Sequence, residues 1–249
     1  GWNGWSKVAI TSLKNNLSVF SSVQTDDFDY DNAKSDYVVD PEPTLVKDDP
    51  IVYIYNTHQL EEYESNEATY SVKPNVMIAS YIFREKLKGL GIPSLVETSN
   101  VKEYLNENKL SYSYSYHATE SFAREAQKNN PTIKYLFDIH RDSISYKYSA
   151  IEIEGKTYAK VLFVVGLEHT KDNSGFAENL EKLLEREYPG LSRGISYKTD
   201  PPKYGVYNAN LEGKSVLLEI GGVDNKIEEV NNTMEAISYI FSLYLKGEV

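Results

Sequence analysis

From Ile51 onward, short apolar runs of strand length alternate with longer stretches of helical spacing. That alternation admits an α/β fold with a mixed, largely parallel sheet flanked by helices, and it disfavours all-α and all-β architectures. The runs Ile51–Tyr55 (IVYIY), Ile92–Val96, Ile133–Ile139, Ala159–Val165 (AKVLFVV) and Ser215–Ile220 (SVLLEI) predict strands. Pro74–Lys88, Thr119–Asn129, Asn173–Glu187 and Lys226–Lys246 predict helices, the third closed by Tyr188-Pro189-Gly190. Residues 151–158, IEIEGKTY, predict a hairpin arm feeding the fourth strand.

The chain before Ile51 has a different character. Residues 1–24 place Trp2, Trp5, Val8, Leu13, Leu17, Val19 and Phe20 at loosely helical spacing, as in an amphipathic arm. Thr25–Pro50 is crowded with Asp and carries Pro41, Pro43 and Pro50, so it reads as an acidic, mostly extended linker. Two readings of it stand: a solvated spacer, or an acidic surface that docks a basic partner. The expected division is residues 1–50 as arm and linker, and residues 51–249 as one catalytic domain.

Composition narrows the chemistry. There is no cysteine, which removes disulfide frameworks, thiolate metal sites and cysteine nucleophiles. Any metal must be held by His, Asp or Glu, and the histidines are only His58, His117, His140 and His169. The net charge of −11 argues against nucleic-acid binding, which needs clustered Lys and Arg. No apolar run approaches the roughly 20 residues that span a bilayer.

Three predicted strands end in polar signatures. Ile51–Tyr55 runs into Asn56-Thr57-His58-Gln59-Leu60-Glu61, the third strand into Asp138-Ile139-His140-Arg141-Asp142, and Ser215–Ile220 carries Glu219 just before Gly221-Gly222. Ligands in open α/β sheets bind beyond the carboxyl ends of the strands. Neighbouring strands lie about 4.8 Å apart, so side chains at these ends can converge. His58 and Glu61, at i and i+3, can face one metal, with His140 as the third ligand. Two histidines and a glutamate with an open fourth position form a catalytic Zn2+ pattern. Glu219 would then be the free carboxylate that accepts a proton from water, and Arg141 would stabilise an oxyanion or pair with a substrate carboxylate.

Each residue also has a plainer reading. An HxxE pair arises often by chance, and Glu219 could cap the following helix or pair with a lysine. His117, among Tyr112, Tyr114 and Tyr116, either lines the cleft as a substrate contact or sits on an exposed loop; His169 reads as exposed. The HRD triplet resembles part of a kinase catalytic loop, but no glycine-rich ATP loop or DFG accompanies it. No GxSxG, HExxH or P-loop is present.

Taken together, IVYIYNTHQLEEY, YLFDIHRDS, AKVLFVVG, ENLEKLLEREYPGLSRGI, YNANL and LLEIGGVDN resemble the SpoIIP family of sporulation peptidoglycan hydrolases, in the family's order and over roughly residues 50–245. The resemblance implies a zinc amidase-like three-layer sandwich. It implies an N-acetylmuramoyl-L-alanine amidase cutting between the glycan's lactyl group and the first L-alanine, with an associated D,D-endopeptidase activity on cross-links. It further implies a role in forespore engulfment beside a SpoIID-like lytic transglycosylase and a SpoIIM-like membrane protein. The family's N-terminal membrane anchor implies an extracytoplasmic location, held through a segment this chain does not contain.

By the same resemblance, His58 and Glu61 match the THxxE motif, His140 and Arg141 the DxHRD motif, and Glu219 the acid of LxExGG. Asn225 matches that motif's trailing asparagine, which makes it a candidate substrate contact. This chain departs in reading Asn56 where the family often has histidine, and Ala118 and Glu120 where it often has arginines. Glu62, Glu64 and Glu67 compete with Glu61 for the third ligand position. Two other functions fit parts of the pattern: a wall-binding module with no working metal, and a zinc carboxypeptidase-like peptidase.

Overall fold

The computed structural model describes residues 35–42, 49–64, 73–166, 171–198, 207 and 210–249. The arm at 1–24, His169, Glu67 and most of the acidic stretch lie outside the described residues. In chain order the strands are β1 (Val52–Tyr55), β2 (Ser94–Val96), β3 (Tyr135–His140), β4 (Ala150–Ile153), β5 (Lys156–Ala159), β6 (Val161–Gly166), β7 (Ser192–Lys198) and β8 (Lys214–Ile220). The helices are α1 (Val76–Gly89), α2 (Val101–Glu107), α3 (Ser115–Asn129), α4 (Tyr146–Ser149), α5 (Lys171–Glu187) and α6 (Ile227–Leu245).

Six strands form one sheet in the order β2-β1-β3-β8-β6-β7. β2, β1, β3 and β8 are mutually parallel, β6 runs antiparallel to β8, and β7 is parallel to β6. The sheet is thus mixed and largely parallel, as the alternation predicts. β4 and β5 form the expected hairpin, separate from the main sheet.

The period-2 alternation of side chains sets the two faces. Val52, Ile54, Phe137, Ile139, Phe163, Leu218 and Ile220 point to the face covered by α1, α5 and α6 and join one large core. Phe137 anchors it, with the rings of Phe83, Phe241 and Phe176 at 5.2, 5.3 and 5.8 Å. Each such ring contributes about 1.5–3 kcal/mol by leaving water. Tyr53, Tyr55 and Leu136 point to the opposite face and pack on Ala123 and Ala126 of α3. The same parity puts Asp138, His140 and Glu219 on the α3 face, at the carboxyl ends of β3 and β8.

Three elements, α2, α4 and β7, lie beyond the sequence-based expectation. α2 carries only Val101 and Leu105 as buried residues, and begins with Asn100 capping the Glu103 N–H. β7 is only half-buried along its length, so it lacks an apolar signature. α3 starts at Ser115 rather than Thr119, which brings His117 into a helix.

Residues 35–42 fall in the stretch read as linker, yet they are strapped onto the domain. Val38 is fully buried. The Tyr81 hydroxyl donates to the Val38 carbonyl at 2.8 Å, and Asn75 Nδ2 donates to the Asp36 carbonyl at 2.9 Å. Asn75 also caps α1 by accepting from the Met77 N–H. Arg84 on α1 makes a bidentate pair with Asp40 at 2.6 and 2.7 Å, and both side chains are buried. Removing one partner of such a pair strands the other charge. Asp40→Asn is therefore expected to destabilise the fold by about 3–5 kcal/mol in urea unfolding. A loss below about 1 kcal/mol would match an exposed pair and show that the strap is not part of the folded unit.

Candidate metal centre

The register places the site. Tyr55 at the end of β1 pairs with Asp138 of β3, and His140 of β3 pairs with Glu219 of β8. Beyond Tyr55 the chain makes a tight turn in which the Glu61 N–H donates to the His58 carbonyl. That turn points His58 and Glu61 back at β3.

His58, Glu61 and His140 each offer one ligand atom, and these atoms lie within 4.8 Å of one another. Glu61 Oε1 is the hub, 3.1 Å from His58 Nδ1 and 3.4 Å from His140 Nδ1. Its other oxygen accepts from the Arg141 backbone N–H at 2.8 Å, which fixes the carboxylate. The two imidazoles meet edge to face at 4.9 Å. Among the described residues, neither Glu62 nor Glu64 joins this cluster: the Glu62 carboxylate accepts from the Ser35 N–H, and the Glu64 backbone bridges to Lys226.

Asp138, which the sequence reading did not single out, stands behind His140. Its Oδ1 lies 3.0 Å from His140 Nε2, an ion-pair approach without aligned hydrogen-bond geometry. The carboxylate is held in turn by the Thr57 N–H at 2.9 Å and the Thr57 hydroxyl at 2.7 Å. A carboxylate on the far nitrogen of a ligating histidine fixes its tautomer and raises its basicity. The DxH spacing on one strand was the available signal, because residues two apart share a face.

Charge within the cluster is arranged to hold a cation. Burial alone would push the Glu61 carboxyl up, but His140 and His58 together hold it well below the usual carboxylate range. Burial likewise opposes charge on His140, yet Asp138 and Glu61 outweigh it and raise that imidazole well above its ordinary value. Carboxylates on both sides of a buried imidazole favour positive charge at the centre, and a divalent ion fits a His, Glu, His donor set of this kind.

Glu219 differs from the other acids. Burial pushes its carboxyl up to about 7, with Glu61, Asp142 and Asp138 adding to the rise and His140 opposing it. Its Oε2 is buried without a hydrogen-bond partner among the described residues. The chain leaves it through Gly221, with φ of +69°. A side chain at Gly222 would put Cβ 2.3 Å from the Ile144 carbonyl oxygen, so only glycine allows this turn. The Tyr63 hydroxyl donates to the neighbouring Ile220 carbonyl at 3.0 Å.

The other expected site residues fall elsewhere. Asn225 is fully buried: its Oδ1 accepts from the Gly222 N–H at 2.7 Å and its Nδ2 donates to Glu229 at 2.8 Å. These bonds shape the turn after β8. His117 is exposed on the first turn of α3, while its neighbour Tyr116 packs 5.6 Å from His58 and 6.3 Å from His140. Tyr112 stacks on His58 at 5.3 Å. The tyrosines, rather than His117, therefore wall the centre. The Arg141 guanidinium donates to the Asp142 carbonyl at 3.2 Å and keeps a buried Nε without a partner among the described residues. Asn56 is buried and bridges the Val76 and Ile139 carbonyls, facing away from the cluster.

A family model described as Stage II sporulation protein P (SpoIIP) matches residues 9–242. Stage II sporulation protein P of Bacillus subtilis (strain 168) is 36% identical over 247 residues, covering 95% of this chain and 60% of that protein. This chain therefore spans less than two thirds of that relative's length. Among solved structures, the CwlD amidase from Clostridioides difficile, determined in complex with the GerS lipoprotein, aligns with a TM-score of 0.51 at 15% identity. The alignment covers 79% of this chain and 96% of CwlD, a likeness of fold.

Proposed function

The chain belongs to the Stage II sporulation protein P family, and from that premise we propose that it is a zinc-dependent peptidoglycan hydrolase. Its reaction is cleavage of the amide between N-acetylmuramic acid and the L-alanine of the stem peptide. The observation that carries this reading is the joint geometry of Glu61 and Glu219. One carboxylate lies between two imidazoles, and the other is register-paired with His140 and keeps a buried oxygen free.

His58, Glu61 and His140 would hold the ion, with Asp138 orienting His140. Bound Zn2+ supplies a Lewis acid for the scissile carbonyl and lowers the pKa of water at the site to about 7. Glu219 takes a proton from the attacking water on Oε2 and returns it to the leaving amine, a role suited to a carboxyl with a raised pKa. Tyr112 and Tyr116 limit access of bulk water to His58 and His140. Arg141 fixes Glu61 through its backbone N–H, and its guanidinium is available for a substrate carboxylate.

Action on cross-links as a D,D-endopeptidase, attachment to the membrane, and work beside a transglycosylase during engulfment belong to the same proposal. No described helix is long and apolar enough to cross a membrane.

The test pairs elemental analysis of the purified protein with mass spectrometry of digested peptidoglycan, with and without chelator. About one zinc per chain and chelator-sensitive release of intact stem peptides are expected. Release of single terminal residues would instead identify a carboxypeptidase. No zinc after reconstitution and no released peptide would overturn the reading in favour of a wall-binding module.

A further inference from the structure

A cavity of about 290 Å³ opens beside the ligand triad on the β1–β2 flank of the sheet. Val101, Leu105 and Leu110 give it an apolar lining, and the rings of Tyr37 and Tyr112 stand at its sides. Tyr112 belongs to both places, because it stacks on His58. A ligand that fills the cavity therefore ends one ring away from the metal ligands.

The cavity is fixed relative to the triad. Gln59, next to His58, accepts from the Val101 N–H and donates to the Ser99 carbonyl, both at 2.9 Å. This ties the start of α2 to the ligand turn. Tyr37, from the strap, donates its hydroxyl to the Thr98 carbonyl. Helix, strap and ligand turn thus hold the cavity's shape together.

Charge distinguishes the two flanks of the triad. The cavity is lined by one acid, Asp36, and one base, Lys102, so it is formally neutral. The guanidinium groups lie the other way. Arg193 is on β7, at the opposite end of the strand order from β2. It pairs with Asp142 at 2.8 Å, and its Nη1 is buried without a partner among the described residues. Arg141, beside it through Asp142, likewise keeps a free buried Nε.

The proposed substrate has two chemically different halves. Its N-acetylated sugars are uncharged once the lactyl carboxyl is tied up in the amide. Its stem peptide carries free carboxylates. A sugar ring suits an aromatic wall, and an N-acetyl methyl suits an apolar floor. Carboxylates suit guanidinium groups with unused N–H donors. We infer that the Tyr37–Tyr112 cavity is a subsite for an N-acetylated amino sugar, so that substrate crosses the triad with its glycan toward β2 and its peptide toward Arg193. Sugar and peptide directions both rest on the peptidoglycan reading of the substrate; the sugar site does not rest on which amide is cut.

The test is methyl NMR of the zinc-loaded chain titrated with two probes, neither of which contains a scissile amide of the proposed kind. N,N′-diacetylchitobiose is expected to shift the methyls of Leu60, Val101, Leu105 and Leu110. The acidic tripeptide L-alanyl-γ-D-glutamyl-diaminopimelate is expected to leave them in place and to shift Ile195 on β7. Asn106→Trp, at an exposed helical position on the cavity rim, is expected to weaken the sugar by about tenfold in Kd. Arg193→Ala is expected to weaken the tripeptide and not the sugar. A cavity that answers to the tripeptide, or to neither probe, overturns the assignment. Stem-peptide release from peptidoglycan is read separately. Sugar binding without release sinks the amidase reading alone, and release with a silent cavity sinks the subsite alone.

Discussion

Glu219→Gln is expected to leave the chain folded and zinc-loaded while stem-peptide release falls by roughly 10²–10⁴, the range that general acid–base groups contribute. Glutamine keeps the size and polarity of the side chain, and Glu219 is not one of the three residues whose ligand atoms converge, so metal affinity should hold. What is lost is the ability of Oε2 to take and return a proton. The substitution has a second readout in metal-free protein. The folded Glu219 carboxyl titrates near 7, above the ordinary glutamate value. A carboxyl raised in this way favours the fold most below its unfolded pKa, and that contribution is lost as pH rises through about 7. Metal-free wild-type protein should therefore lose stability between about pH 4.5 and pH 7, and the glutamine variant should lose less. Wild-type turnover by the variant would remove Glu219 from the chemistry. Equal pH dependence of the two proteins would show that its burial is not felt energetically.

How much of this was legible in the sequence depended on where side chains report to the backbone period. Short apolar runs ending in His58, His140 and Glu219 were readable because strand ends on a parallel sheet meet, and the register pairs His140 with Glu219 as that logic requires. The antiparallel entry of β6 was not readable, since apolar runs carry no direction. β7, as SRGISYK, and α2, with two apolar anchors, are held by neighbours and caps rather than by their own pattern. Asn225 was ambiguous for a related reason: an asparagine after two glycines serves equally to shape a turn or to touch a substrate, and the structure shows the turn role through its bond to the Gly222 N–H. His117 drew attention by residue type, whereas the packing chose Tyr112 and Tyr116, whose spacing of four places both beside His58. The strap at 35–42 was hidden because its anchor is a charge pair, and Asp40 in an acidic stretch looks like any other solvated acid.

His140→Ala tests the centre from the other side, and it is expected to abolish both bound zinc and hydrolysis. Two remaining ligands fall short of the three protein ligands that a catalytic zinc site uses, and the lost imidazole is the buried one at the end of β3. The variant also strips Asp138 of its imidazole partner inside the protein. That carboxylate still accepts two hydrogen bonds from Thr57, so the fold should survive with a cost of about 1–3 kcal/mol. Asp138→Asn provides the graded comparison. It keeps all three ligands but weakens the hold on His140 Nε2, and such outer partners typically matter by about 10–100-fold in metal affinity. Zinc titration should therefore rank wild type above Asp138→Asn, with no measurable binding by His140→Ala. Hydrolysis at saturating zinc should recover in Asp138→Asn and stay absent in His140→Ala. If His140→Ala bound zinc normally, the ion would have to sit elsewhere, and the triad around Glu61 would be a structural hydrogen-bond cluster. If Asp138→Asn proved as dead as His140→Ala at any zinc level, Asp138 would be acting in the reaction rather than through the orientation of His140.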